Sequence, residues 1–404
     1  MNDSKHRTAA APDKNLTPPV RIDAKCSGDP FKIGRKQGEA LRGKIALVHA
    51  LLHRLEAFRL PKPAWMPFPV YRWLAVRKGA RMLLEPLRQQ QPDMLRRLEG
   101  IAAGAGVRLS LLMLCNVLEP LLASVRGRYV TPPLGGCSAV AVRGGRSATG
   151  EPMIARNFDY LPLLQPLYSL RATRPAGGFR SIDFIAAPLA GAIDGLNEHG
   201  LCITYDYAFV VDEPPMPAVP ISMAISWALE TCRTVAEAAD LIASRPRWGG
   251  GLLMLADPTG DIASLELSNT RAQLRRPAAG EDLLFHSNAF CTASMREVQV
   301  PDDAVFTMRV PVPLRNSSVL ESSRVRNSRF TELLARYSQF TAADLAAVMS
   351  DHGPDGQPSH LSPCVHSDYW FTTAALQFFP VSRRLRLDYA AACQAKYQEF
   401  VVGE

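Results

Sequence analysis

The sequence predicts an α+β fold, with mostly antiparallel sheets and a helical region ahead of them. Three observations carry that prediction. Apolar residues recur at helical spacing through Ile45, Val48, Leu51, Leu52 and Leu55, and helical stretches return as far as Val117. A breaker-rich stretch over 126–136, with Pro132, Pro133, Gly135 and Gly136, then changes the composition. Beyond it lie short apolar runs bounded by turn residues, with helices set between them.

Taken in order, residues 1–19 are polar, rich in Lys, Ala and Pro, and lack an apolar core. A disordered tail over 1–28 is expected, and no signal peptide. Phe31-Lys32-Ile33-Gly34-Arg35-Lys36-Gln37-Gly38 leads into the first helix. The segment 60–76 is crowded with Pro and aromatics (Trp65, Phe68, Tyr71, Trp73); it reads as a packed connection between helices or as a lid over an apolar pocket. Helices are expected at 81–87, at 94–103 ahead of Gly104 and Gly106, and after Ser110. Strands are expected at 138–142, 153–157, 181–186, 201–205, 252–256, 262–267, 283–287, 370–379 and 384–387. Thr234 with Glu237, and Thr341 with Asp344, have capping-box spacing at the starts of two helices.

The chain has 404 residues, 47% of them hydrophobic and 21% charged, which is ordinary for a globular enzyme. A net charge of +8 is spread over scattered arginines, so a solvated basic surface is expected rather than a nucleic-acid partner. No apolar run approaches the roughly 20 residues that span a bilayer, so no stable membrane insertion is expected. The 8 cysteines are far apart with no C-x-x-C pair, which fits a reduced, cytoplasmic setting. Asp351-His352 and His360 with Cys364 and His366 invite a metal reading, but their spacing is irregular, and neither a metal nor an organic cofactor is expected.

The chemistry centres on Gly135-Gly136-Cys137-Ser138 and on Arg156-Asn157-Phe158-Asp159. The two runs read as a β-hairpin, and antiparallel pairing brings the start of the first strand beside the end of the second. Cys137 then lies near Arg156 and Asp159. A buried structural thiol and a plain ion pair are the bland alternatives. If the Gly136–Cys137 bond opens, Cys137 carries a free α-amine with a pKa of about 7.7–8.0, able to take the proton of the adjacent thiol. One residue is then both nucleophile and base.

Several motifs together carry a family resemblance: the Gly34-x-x-Gln37-Gly38 opening, Leu98-Glu99-Gly100-Ile101-Ala102-Ala103-Gly104-Ala105-Gly106, Gly136-Cys137-Ser138, Arg156-Asn157-x-Asp159, Gly195-x-Asn197-Glu198-x-Gly200-Leu201 and His286-Ser287-Asn288-Ala289-Phe290. In this order they resemble the N-terminal-nucleophile family of isopenicillin N acyltransferase, related to bile-salt hydrolases, penicillin V acylases and acid ceramidase. The resemblance implies a four-layer αββα sandwich over 137–404, preceded by a helical region over 29–136 that stays bound as the cleaved N-terminal fragment. It implies Cys137 as nucleophile, with Asp159 on the new α-amine and Arg156 on thiolate and substrate. Asn288 becomes an oxyanion donor and Tyr207 its partner, with Tyr205 or Asp206 in that place if the alignment slips. Arg324 becomes the later active-site arginine, in competition with Arg326. Asn197 is read as fixing a turn.

The reaction implied is hydrolysis of a small-molecule linear amide through an S-acyl intermediate, or transfer of the acyl group to an amine. An apolar acyl group is read from the 65–73 segment. Ser362-Pro363-Cys364-Val365 lacks the arginine of the acyltransferases at that place, which counts against penicillin or acyl-CoA specificity. Two other classes stay open: a Cys/His thiol enzyme using His286 or His199 without self-cleavage, and a binding protein that has lost turnover. Homo-oligomerisation is left open.

Overall fold

The computed structural model describes residues 20–122, 135–215, 217–306 and 310–403. The expected tail over 1–19, the connection over 126–134 and the rest of 123–125 lie outside them.

Among the described residues, sixteen strands build the body. Eight form one sheet: β1 (Ile22–Gly28), β4 (Tyr168–Pro175), β5 (Ser181–Ala186), β6 (Asp194–Asn197), β7 (Cys202–Ala208), β10 (Gly250–Ala256), β11 (Ile262–Leu267) and β12 (Ala272–Arg275), hydrogen-bonded in that order. Six form a second, in the order β13 (Leu283–His286), β2 (Gly135–Val142), β3 (Met153–Tyr160), β14 (Phe371–Phe379), β15 (Arg384–Asp388) and β16 (Gln398–Val401). β8 (Val219–Pro220) and β9 (Arg247–Trp248) make a short parallel pair.

Side chains alternate between faces along a strand, and the alternation explains the layering. Ala139, Ala141, Ile154, Phe158 and Leu376 of the smaller sheet share one core with Leu170, Phe184, Leu196 and Met254 of the larger. The residues between them, Val140, Val142, Met153 and Ala155, face outward and are covered by Phe330, Leu333 and Leu345 of α11 (Glu321–Leu334) and α12 (Ala342–Met349). On the other side α8 (Ile221–Thr231) and α9 (Val235–Ala243) cover Ile203, Leu253 and Leu265. The result is the four-layer αββα sandwich. Thr341 and Asp344 form the full capping box. At α9, Thr234 accepts from Glu237 N–H, but the Glu237 carboxylate accepts from Arg233 N–H instead of the cap residue.

The helical region precedes the sandwich: α1 (Pro30–Ala40), α2 (Arg42–Ala46), α3 (Val48–Arg54), α4 (Glu56–Arg59), α5 (Phe68–Gln90), α6 (Pro92–Ala105) and α7 (Leu109–Leu122). The short α10 (Ala293–Arg296) lies beyond β13. α1 and α6 cross at near backbone contact. A Cβ on Gly34 would collide with the Arg97 carbonyl and one on Gly38 with that of Ile101; Gly100 and Gly104 meet Phe31 and Arg35 in the same way.

Two expectations are corrected. Ile22–Gly28 is a strand, paired in parallel with β4, and not the end of a disordered tail; Ala24 and Cys26 are buried by the α1 and α6 helices. The segment 60–76 is neither a lid nor a connection throughout: from Phe68 on it is the start of α5, which runs on through the helix expected at 81–87, and Trp65 and Trp73 are 78% and 51% exposed. Phe68 and Tyr71, at the start of α5, pack inward against Phe58 instead.

Candidate active site

Cys137 is the third residue of β2. The β2–β3 register sets Gly136 opposite Asp159, Cys137 opposite Phe158 and Ala139 opposite Arg156. Cys137 therefore falls on the inter-sheet face with Ala139, and Arg156 on the matching face with Phe158. Arg156 Nη2 donates to Cys137 Sγ at 3.2 Å. The guanidinium is fixed from the opposite sheet: Nε donates to Asp206 Oδ1 at 3.0 Å, Nη1 to Asp194 Oδ2 at 2.5 Å, and Nη2 also to the Tyr205 carbonyl. Arg156, Asp194 and Asp206 are all fully buried, so each charge depends on the others.

Asp159 lies on the other face of β3. It accepts from Thr372 Oγ1 at 2.6 Å and pairs with Arg326 Nη1 at 3.4 Å. Asn288 follows β13, whose His286 is paired with Ala139; continuing that register by two residues brings Asn288 beside Cys137. Its Oδ1 accepts from the Cys137 N–H at 2.9 Å and from Arg326 Nη2 at 2.8 Å, and its Nδ2 donates to the Tyr207 carbonyl at 2.7 Å. Arg326 Nη1 also donates to the Cys137 carbonyl at 2.7 Å. The backbone of Cys137 is thus held at both its N–H and its C=O. A Cβ on Gly135 would collide with the Tyr160 ring, and one on Gly136 would lie 3.2 Å from Asn288 Oδ1.

Of the two competing arginines, the site contains Arg326. Arg324 is exposed and reaches the Asp302 carbonyl and carboxylate. The two lie two residues apart on α11, roughly 200° around the helix, so only one can face β2. The signal was in the sequence: Arg326 precedes the core residues Phe330 and Leu333 by four and seven positions, the spacing of one helical face. Tyr207 borders the site through its carbonyl on Asn288, while its ring packs edge-on against Phe209. Its neighbours Tyr205 and Asp206 serve Arg156. Neither expected histidine is hydrogen-bonded to the thiol: His286 bonds Ser264 and lies 3.4 Å from Asp206, and His199 packs edge-on against Phe179.

Burial pushes the Cys137 thiol well above its ordinary value, against the pull of Arg156. The thiol is therefore protonated at neutral pH. Burial likewise pushes Asp159 up to about 6, opposed chiefly by Arg326, and Asp194 up to about 7, opposed by Arg156.

Cys137 opens onto a cavity with about 1140 Å³ of free space, counting its open mouth. Leu51, Leu52 and Leu55 from the α3 end, Leu118 of α7, and Leu164, Leu189 and Ile193 make its walls apolar. Glu119 of α7 is the one carboxylate among the described lining residues; burial pushes it up to about 7, with Arg156 pulling the other way. Sequence reasoning missed Glu119, although an acid inside the apolar run 111–122 is itself a signal.

The family model described as acyl-coenzyme A:6-aminopenicillanic acid acyl-transferase matches residues 146–385, more than half of the chain. The chain belongs to that acyl-transferase family. The match begins C-terminal to Cys137 and includes Arg156, Asp159, Asn288 and Arg326. Solved structures similar to this acyl-transferase family member include an N-acylethanolamine-hydrolyzing acid amidase ortholog from Caenorhabditis elegans, at 13% identity and a TM-score of 0.41, covering 66% of this chain and 100% of that one. A conjugated bile acid hydrolase variant from Clostridium perfringens has 13% identity and a TM-score of 0.40, with 66% and 97% covered. Penicillin V acylase from Agrobacterium tumefaciens has 13% identity and a TM-score of 0.36, with 63% and 83% covered. No curated protein matches the sequence.

Within this acyl-transferase family member, two of the motifs are structural. Gln37 Nε2 donates to the Ala187 and Leu189 carbonyls, tying α1 to the cavity wall. Asn197 Oδ1 accepts from the N–H groups of His199 and Leu201 and its Nδ2 reaches the Leu229 and Cys232 carbonyls, which fixes the turn and docks α8 on it. Among the described residues no helix is long and apolar enough to cross a membrane.

Proposed function

We propose that the chain is a cysteine amide hydrolase activated by cleaving its own Gly136–Cys137 bond. In the activating step Cys137 Sγ attacks the Gly136 carbonyl, the peptide C–N bond breaks, and the nitrogen keeps the thiol proton as part of a free α-amine. Water then releases Gly136 from the thioester. The N-terminal fragment would stay bound, because β1 is hydrogen-bonded in the large sheet and α1, α6 and α7 share a core with it.

In turnover the α-amine takes the Cys137 thiol proton and Sγ attacks the substrate carbonyl. Arg156, 3.2 Å from Sγ, favours the thiolate. Asn288 Nδ2 has a second N–H for the oxyanion, whereas Tyr207, expected as its partner, offers Asn288 a carbonyl, which accepts and gives the oxyanion nothing. The protonated amine supplies the leaving amine with its proton, and water cleaves the thioester. The apolar cavity beside Cys137 supports an apolar acyl group on a small amide. The observation that carries the proposal is the grip of Asn288 and Arg326 on the Cys137 backbone. With no histidine hydrogen-bonded to the thiol among the described residues, a base made from that nitrogen is the economical reading.

Transfer to an amine acceptor is the second reading, favoured by the description of the matching family. The test is acid quenching during turnover of a medium-chain fatty acyl amide. The account predicts an acyl adduct on the fragment beginning at Cys137, labile to hydroxylamine. Turnover with an adduct on another residue, or with none under conditions where deacylation limits the rate, counts against it. Free acid as the product separates hydrolysis from transfer.

A further inference from the structure

Behind β14, on the side away from the cavity, four side chains with metal-binding atoms meet. His352 follows α12, and Cys364 and His366 lie on the chain that leads into β14. Cys393 comes from the single helical turn Ala392–Gln394 beyond β15. Their ligand atoms all lie within 4.8 Å of one another. His366 Nε2 is 3.4 Å from Cys364 Sγ and 3.6 Å from Cys393 Sγ. A tetrahedral zinc with Zn–S of about 2.3 Å and Zn–N of about 2.0–2.1 Å has sulfur-to-nitrogen edges of about 3.6 Å. His352 Nε2 is buried and has no hydrogen-bond partner, and its ring stands edge-on to His366 with centroids 5.0 Å apart. Two thiols and two imidazoles with one orphaned nitrogen are a donor set that suits zinc above calcium or magnesium.

We propose that His352, Cys364, His366 and Cys393 bind one Zn²⁺ as a structural centre. All four positions are filled by the protein, so no coordination place is left for water or substrate. Binding makes four metal–ligand bonds and releases the two thiol protons to solvent. The site escapes a search for zinc spacings because Cys393 lies 27 residues beyond His366. Only the fold of β14 and β15 brings it back.

The zinc would brace the site from behind. Val365 N–H, between two ligands, donates to Thr372 Oγ1 at 2.8 Å, and Thr372 donates to Asp159. Asn157 Nδ2 reaches the Met349 and Pro363 carbonyls, tying the same loop to β3. The metal therefore holds the loop on which the hydrogen bonding of Asp159 leans.

The test uses the full-length chain carrying Cys137→Ala, so that the reactive thiol does not compete for metal. After purification without a metal-affinity tag, under reducing conditions and with exhaustive dialysis, metal analysis should find about one zinc per chain. Cys364→Ser with Cys393→Ser should lose it, and Cys115→Ser should retain it. In case the double variant does not fold, the parent chain is stripped with a chelator and titrated with Zn²⁺ against a chromophoric competitor. Stoichiometric uptake with a rise in thermal midpoint is expected, and Co²⁺ should give the intense visible bands of a tetrahedral thiolate site. Three results would overturn the proposal: no zinc in the purified chain and no uptake by the stripped one, full zinc in the double variant, or a Cys364–Cys393 disulfide in protein alkylated directly from cells.

Discussion

The backbone N–H of Cys137 donates to Asn288 Oδ1 at 2.9 Å. That nitrogen is the atom that self-cleavage would turn into an α-amine, so its acceptor is already in place before the bond opens. Asn288→Ala removes both this acceptor and the proposed oxyanion donor. In processed enzyme kcat is expected to fall about 100- to 1,000-fold, the usual loss for one such donor. A variant retaining near wild-type kcat would remove Asn288 from the site.

Arg326 and Arg324 make a paired test. Arg326→Ala leaves Asp159 as a buried carboxylate without its cation, which costs about 3–5 kcal/mol in comparable cases, and frees the Cys137 carbonyl. Arg324→Ala removes only an exposed contact with Asp302 and should stay within about 0.5 kcal/mol. Urea unfolding of both variants, in a Cys137→Ala background, checks the ordering. Equal losses would contradict the placement of α11.

Glu119 predicts a pH dependence of stability. Its carboxyl is raised to about 7 in the folded chain, so the folded state holds that proton more tightly than the unfolded one. The stabilisation is complete below the unfolded value of about 4.3 and is lost as pH rises through about 7. Glu119→Gln has no such proton to lose. Its urea midpoint relative to the parent should rise between pH 5 and pH 8; a gap independent of pH would contradict the shift.

The α1–α6 crossing predicts opposite outcomes for two glycines in neighbouring helices. Gly34→Ala drives a methyl into the Arg97 carbonyl and should cost at least about 1–3 kcal/mol, as overpacking does. Gly43→Ala meets nothing within 4 Å and should be neutral, or stabilise by up to about 1 kcal/mol through helix propensity. Thermal midpoints of the two variants are the measurement.

The part of the site legible in the sequence is the part made by local pairing. β2 and β3 follow each other in the chain, joined by the loop 143–152, so reading the hairpin was enough to set Cys137 beside Arg156 and Gly136 opposite Asp159. Asp194 was not legible, because it reaches Arg156 across the sandwich, and the stacking of two sheets leaves no local pattern. Arg326 was legible but left open against Arg324, and β1 was legible but read as tail. The alternation of Arg21, Ile22, Asp23, Ala24, Lys25 and Cys26 is that of a half-buried strand, masked by the polar stretch before it. The 65–73 aromatics misled for a different reason: Trp65 and Trp73 face out, and the apolar cavity walls come from leucines of the α3 and α7 region.

The central claim is most directly tested by intact mass on the purified chain, wild type beside Cys137→Ala. The account predicts two fragments from the wild type, ending at Gly136 and beginning at Cys137, and a single full-length species from the variant. A wild-type chain that turns over amide while still in one piece would contradict it.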